Sequence, residues 1–242
     1  MVQVTCEIAF TSDSEEKLHA AGLYPLFWDE FPDLQAVPMT MNVQVLFAQP
    51  GVPPQPSQYP NVGAFRFGTD DGKRFIQLSK TNSIYQSNEQ YPGWECFSAK
   101  LLELWKRCAP EVKPSSIVKV GLRYVNRIAK TEAQLSLSDW LQPTSDLPET
   151  LIASKEHFMG RIESSPQPSH LRLITVAAEP PGPDWPHGTI IVDIDRISAE
   201  QLEHDTSKIV EELDFLHEDV WRSFSSAATT ALKDRMSKVA KK

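Results

Sequence analysis

YPGWECFSAKLLELWKRCAPEVKPSSIVKVGLRYVNRI, at residues 91–128, is the stretch of sequence that decides the fold. Its opening Tyr-Pro-Gly predicts a turn, and the apolar residues over 94–108 recur at the spacing of an amphipathic helix. Two prolines then bound a loop, after which residues 117–128 alternate between apolar and polar side chains, as in a half-buried strand. The stretch therefore joins a helix to a strand in the middle of the chain.

The chain on either side of this stretch repeats one order of elements. Residues 1–113 and 114–242 each predict a strand, a helix, about three strands and a long helix, without identity of sequence. Runs of neighbouring strands favour an antiparallel sheet. We predict a single α+β domain over 1–242, built from two tandem pseudo-repeats whose helices pack on one face of the sheet. Whether the halves share one continuous sheet stays open.

The other strands are predicted from alternation and from turn residues. Asp71-Gly72 between two alternating runs is a strong hairpin signal. The predicted strands lie at 2–10, 43–47, 64–67, 74–78, 83–86, 156–163, 171–178 and 188–194. Helices are predicted over 17–23 and, as one long amphipathic element, over 206–236. Four large apolar residues after Pro25 are expected in the core: Leu26, Phe27, Trp28 and Phe31.

Composition limits the class of protein. The 242 residues are 40% hydrophobic and carry a formal net charge of -8, which is typical of a globular protein and unfavourable for binding nucleic acid as a whole. No apolar run approaches the length of a membrane helix, and the N-terminus lacks the pattern of a signal peptide. The three cysteines are widely spaced, as expected of reduced thiols in the cytoplasm.

Catalytic and cofactor motifs are absent from the sequence. It contains no dinucleotide-binding glycine motif, P-loop, nucleophile elbow or paired CxxC, and no two of its six histidines have the spacing of a helical metal site. We therefore predict no cofactor. Whether the protein is an enzyme stays open.

One strand face carries the charges that are candidates for a site. Asp193 and Asp195 are two residues apart in a strand, so both carboxylates project from the same face and suit a magnesium ion. They equally suit ion pairs with arginines on neighbouring strands. The arginines predicted on the non-core face are Arg123, Arg127, Arg161 and Arg172. A solvated lattice of charges and a ligand or nucleic-acid face are therefore both open.

Two aromatic residues complete the candidates. Tyr124, beside Arg123, is a candidate for stacking on a nucleobase. Trp185 lies in a proline-rich segment, 179–188, where an exposed tryptophan anchors a protein partner and a buried one packs over a sheet edge.

Several segments resemble a known family. EIAF, FWDEFPD, YPGWECF, GLRYVNRI and LHEDVWRSF occur in this order along nearly the whole chain. They are similar to a sporadically distributed family of prokaryotic proteins of about this length, to which no activity is assigned. YPGW and GLRYVNRI are the most specific of these segments. The resemblance implies a cytoplasmic α+β module, possible membership of an antiphage defence system, and no catalytic residues to carry over.

Three functions follow in order of preference. The first is a non-catalytic interaction or regulatory protein, whose partner is another protein encoded nearby. The second is a nucleic-acid or nucleotide binder that uses the arginine face. The third is a metal-dependent hydrolase built on Asp193 and Asp195.

Overall fold

The structure is a computed structural model and describes residues 2–13, 18–38, 62–132, 136–153 and 158–239. A nine-stranded antiparallel sheet and helices form a mixed α+β fold. The strands are β1 (Val2–Ser12), β2 (Asp33–Pro38), β3 (Val62–Gly68), β4 (Arg74–Ser79), β5 (Asn82–Ser87), β6 (Pro114–Ala129), β7 (Met159–Gln167), β8 (His170–Glu179) and β9 (Thr189–Ser198). The helices are α1 (Ala20–Phe27), α2 (Trp94–Val112), α3 (Leu137–Trp140), α4 (Glu149–Ile152), α5 (Thr206–Ala227) and α6 (Thr230–Val239).

The sheet is continuous across the middle of the chain. Its strand order is β2-β3-β4-β5-β1-β6-β9-β8-β7, and every neighbouring pair is antiparallel. β1 and β6, which begin the two predicted halves, pair at its centre. The two halves of the chain therefore share one continuous sheet, which the sequence alone left open.

Strand alternation divides the side chains between two faces. In one cross-strand row Val4 is opposite Tyr124, which is opposite Ile194. The face of this row is called the covered face. In the adjacent row Thr5 is opposite Arg123, which is opposite Asp195, and that face is called the open face.

Aromatic contacts join helices α1 and α2 to the covered face. The ring pairs, with their centroid distances, are Phe27–Phe67 at 5.1 Å, Phe97–Tyr85 at 5.2 Å and Trp105–Phe10 at 5.7 Å. Such pairs contribute about 0.5–1.5 kcal/mol each beyond the burial of their area. Leu104 of α2 and Leu216 of α5 are fully buried. The predicted apolar stripes of both long helices therefore lie in the core.

The ends of two predicted helices differ from the structure. α1 begins at Ala20 and includes Pro25, and Trp28 after it is 57% exposed, so the expectation of a core role for Trp28 is wrong. α2 continues past the predicted end to Val112, whose burial extends the apolar stripe by one more turn. It ends where Lys113 adopts a left-handed conformation before Pro114.

The predicted helix over 206–236 is two helices. Ala228 is extended and bridges to Leu141, which interrupts the helix. Thr229 then caps α6, because its hydroxyl oxygen accepts a hydrogen bond from the Leu232 amide at 3.3 Å.

Two further findings concern the first half and the membrane. The sequence does not predict β2, and the predicted strand at 43–47 lies outside the described residues. In the part of the chain that the structure describes, no helix has the length and apolar character needed to span a membrane.

Candidate functional site

The two aspartates of the predicted site lie on the open face, as their spacing predicts. Asp195 is opposite Arg123 in the β6–β9 pairing, and Asp193 is one register position further along, opposite Val125. Asp193 accepts two hydrogen bonds from Arg123, at 2.8 Å from Nε and 2.6 Å from Nη2. This bidentate geometry is the strong form of an arginine–carboxylate pair.

Asp195 is the titratable group of the open face. Burial raises the pKa of its carboxyl to about 6, and the charges of Asp193 and Glu7 raise that pKa further while Arg123 lowers it. Lys119, whose Nζ lies 2.6 Å from Glu7, also lowers the pKa of Asp195. A carboxyl that titrates near neutrality can transfer protons, which is one requirement of acid–base chemistry.

Metal binding needs more ligands than this pair supplies. Among the described residues, no group of three or more His, Cys, Asp or Glu side chains is arranged to hold a metal ion. The bidentate contact with Arg123 also occupies both oxygens of Asp193. A cation would have to replace the guanidinium.

The other two predicted arginines of the open face are paired as well, whereas Arg66 of the same face donates to the neutral Gln77 side chain. Arg127 Nη2 lies 3.2 Å from Glu179, and Arg161 Nη2 lies 2.8 Å from Glu163. These side chains are 40% and 56% exposed, so each ion pair contributes about 0–1 kcal/mol. The positive charge of each arginine is thus largely balanced by a carboxylate.

Arg172 does not lie on the open face, and that prediction is wrong. It is opposite Arg196 on the covered face and only 7% of it is exposed. The sequence of β8 has apolar residues at both odd and even positions, Leu171 and Leu173 on one side and Ile174 and Val176 on the other. Alternation alone therefore could not assign the face of Arg172.

Arg172 and Arg196 form a buried cluster that the sequence analysis missed. Both guanidinium groups contact Asp219 of α5, with Nε to Oδ2 distances of 3.2 Å and 2.6 Å. Arg172 Nη1 also contacts Asp146. Arg196 is 1% exposed, and within the described residues its Nη1 has no hydrogen-bond partner. A signal for this cluster exists in the sequence, since Asp219 lies between the core positions Leu216 and Val220.

Tyr124 lies on the opposite side of the sheet from Arg123, so the proposed combination of the two at one site is wrong. It is 6% exposed, and its hydroxyl lies 2.9 Å from that of Tyr91. The same hydroxyl lies 3.2 Å from Nδ1 of His217 on α5. Tyr124 is therefore part of the core between β6 and α5, where it cannot stack on a base bound by Arg123.

Trp185 is half-buried in the connection between β8 and β9. A local turn holds its backbone, since the Trp185 amide donates to the Gly182 carbonyl at 3.1 Å and the Gly182 amide donates back at 3.0 Å. The most exposed tryptophans of the described residues lie elsewhere, with Trp28 at 57% and Trp221 at 59%. A role for Trp185 in docking a partner stays a prediction.

Comparison with known proteins adds no family. The chain matches no model of a known protein family and no curated protein sequence.

Proposed function

We propose that this is a non-catalytic interaction or regulatory protein that binds another protein through the open face. The observation that carries the proposal is the chemistry of this face, which combines neutralised ion pairs with half-buried apolar side chains. The apolar residues on the face include Phe75, Ile84, Val125, Ile191 and Ile197. An interface with a protein typically has this mixed character, with apolar area among charges of both signs.

The named helix contacts support the choice of face. The aromatic pairs from α1 and α2, and the arginine–Asp219 pairs from α5, all involve side chains of the covered face. The partner's matching surface would carry apolar residues flanked by both acidic and basic side chains, because the open face offers both signs.

The arginine pairing disfavours nucleic acid as the partner. At the three predicted arginines, a phosphate would have to displace Asp193 from Arg123, Glu179 from Arg127 or Glu163 from Arg161. Arg66, which donates to Gln77, has no carboxylate partner among the described residues. Binding to a nucleic acid gains most from unpaired cations that release counterions. The hydrolase alternative gains no support either, since Asp193 is engaged by Arg123.

We infer that the domain consists of two pseudo-repeats with their helices on one face. From the centre outward the first half contributes β1, β5, β4 and β3, and the second half contributes β6, β9, β8 and β7. In each half, the last strand pairs with the first strand, and the two earlier strands follow toward the edge of the sheet. β2, at the outer edge of the first half, has no counterpart in this scheme.

The setting of the protein is part of the same proposal. We place it in the cytoplasm, where the free thiols of Cys6, Cys96 and Cys108 would stay reduced. The partner is proposed to be a protein encoded nearby in a prokaryotic, defence-associated system, as the family resemblance implies.

Co-purification from a native prokaryotic host tests the proposal. The double substitution Met159→Asp and Arg161→Glu changes two open-face residues of β7, of which Met159 is 73% exposed. Because neither side chain is in the core, the fold is retained, and we expect the variant to lose the partner that wild-type protein retains.

A matched control separates loss of the face from loss of the fold. Trp28→Asp introduces a charge at another exposed apolar position, after α1, and we expect it to keep the partner. A wild-type protein that stays monomeric and partner-free at native expression level contradicts the proposal. So does an open-face variant that retains the partner in full.

A further inference from the structure

A small cavity lies between β6 and the C-terminal helices, away from the open face. Its volume is about 80 Å³, several times what one water molecule requires. One wall is polar and consists of Tyr91, Tyr124, Asn126 and His217. The other wall is apolar and includes Phe224, with Trp221 at the exposed mouth.

The polar wall is held rigidly in place. The Tyr91 and Tyr124 hydroxyls lie 2.9 Å apart, and the Tyr124 hydroxyl lies 3.2 Å from His217 Nδ1. The His217 ring is stacked on Trp94, with centroids 4.3 Å apart and an interplanar angle of 6°. These contacts engage both hydroxyls and Nδ1 of the imidazole within the wall, and Asn126 is the amide that the wall presents to a ligand.

Asn126 is buried with few partners. Only 8% of it is exposed, and its side chain makes one hydrogen bond to the described residues, from Nδ2 to the Val192 carbonyl at 3.5 Å. This is a long contact for a group that offers two donors and an accepting oxygen. Buried amides are normally satisfied, so the free capacity of Asn126 beside a cavity needs an explanation.

The cavity lining is uncharged. It contains no carboxylate, lysine or arginine side chain. Burial also lowers the pKa of His217, so its imidazole is neutral at physiological pH. A charged ligand would find no counter-ion here, and its burial would be costly.

We propose that this cavity binds an uncharged planar ring that carries an amide-type edge, such as a carboxamide or the edge of a pyrimidine base. The ring would lie against Phe224 and Trp221, and its amide edge would exchange hydrogen bonds with Asn126. An amide-type edge matches Asn126 because each presents a donor beside an acceptor. The cavity is small and open at its mouth, so part of the ring would lie outside it, against the exposed Trp221.

Benzamide is the probe that tests this site, and benzoate is its charged control of nearly the same shape. Ligand-observed NMR titration of the full chain should give saturable benzamide binding with a Kd of about 1 mM, appropriate for so small a ligand. Benzoate should not bind, because the lining offers no positive charge.

Variants locate the binding. Asn126→Leu keeps the number and branching of the side-chain heavy atoms and removes the amide, and we expect at least about a tenfold weaker affinity for benzamide at an unchanged melting temperature. Met236→Trp fills the mouth from a half-buried position and should abolish binding. Trp28→Ala, at an exposed tryptophan outside the cavity, should have no effect.

The proposal is overturned if benzamide shows no saturable binding up to about 10 mM, or if benzoate binds equally well. It is also overturned if a folded Asn126→Leu variant binds benzamide with wild-type affinity. Should Asn126→Leu fail to fold, Met236→Trp decides, since retained binding there excludes this cavity as the site.

Discussion

Asp219 links α5 to two strands of the sheet. It lies between Arg172 and Arg196, and these three residues are 7%, 7% and 1% exposed. A buried charge without a counter-ion is much less stable than a buried pair. The carboxylate of Asp219 therefore makes the burial of two guanidinium groups tolerable.

Replacement of Asp219 by asparagine should destabilise the protein strongly. Within the described residues, the variant leaves Asp146 as the carboxylate in ion-pair contact with the two buried arginines, through Arg172. We expect a loss of about 3 kcal/mol or more in the free energy of unfolding, measured with urea. Glu211→Gln on the same helix is the control, because the Lys208–Glu211 pair is exposed and its loss should hardly change the stability. Equal losses in the two variants would rule out this role for Asp219.

At Asp195, in contrast to Asp219, the charged carboxylate lowers the stability of the folded protein. Its pKa is raised to about 6 in the folded protein by burial, so the folded state holds this proton more tightly than the unfolded chain does. The contribution of the protonated group to stability is present below about pH 4 and is lost as the pH rises through 6.

Asp195→Asn should therefore be more stable than the wild type at pH 7, by about 1–2 kcal/mol, because the partly exposed side chain lessens the cost of its charge. The advantage should disappear near pH 4. Urea unfolding of both proteins from pH 4 to 7 measures the difference in their free energies of unfolding. The contributions of the other titrating groups are the same in both proteins and cancel in this difference. An advantage that is constant over this range would contradict the account.

At the level of elements, a cap at Thr229 fixes the start of α6 after the break at Ala228. The Thr229 hydroxyl accepts from the Leu232 amide and donates to the Asp139 carbonyl at 3.1 Å, which links α6 to α3. Thr229→Ala removes both bonds, and we expect a loss of about 1 kcal/mol in the free energy of unfolding. Ser225→Ala, where an exposed hydroxyl bonds only its own helix at Arg222, should cost much less. A similar loss in both variants would argue against the cap.

The sequence predicts those elements whose local pattern agrees with their burial. β1 and β6 alternate cleanly, and the Asp71-Gly72 hairpin forms with Gly72 at a φ of 66°. The break at Ala228 was not predictable from the apolar stripe, since that stripe continues on both sides and the cause is a distant pairing with Leu141. The face of Arg172 was hidden because β8 is apolar on both sides.

In the candidate site, too, local geometry was predictable from the sequence and contacts between distant segments were not. The shared face of Asp193 and Asp195 follows from strand geometry alone. Their pairing with Arg123 needed the register between β6 and β9, which a single sequence does not contain. The cavity beside Asn126 required the packing of α5 and α6 on β6, although an asparagine in an apolar row was visible beforehand.

At the level of the whole molecule, the charge balance supports the proposed protein partner over a nucleic acid. The formal net charge is -8, and the open-face arginines Arg123, Arg127 and Arg161 are each paired with a carboxylate, whereas Arg66 of the same face donates to the neutral Gln77 side chain. We expect no binding of a single-stranded oligonucleotide at about 10 µM protein in low salt, measured by fluorescence anisotropy. Salt-sensitive binding that disappears in the double variant Arg123→Ala and Arg127→Ala would instead favour the nucleic-acid alternative.

The most direct measurement is an arginine-labelling footprint of the complex purified from its native host and treated with nuclease. If the open face binds a protein partner, the complex survives the nuclease, and Arg123 and Arg161 are protected from an arginine-selective reagent relative to the free chain. Arg222, exposed on α5, should be labelled equally in both states. Protection of Arg222 with unchanged labelling of Arg123 and Arg161, or dissociation of the complex by nuclease, would contradict the proposed function.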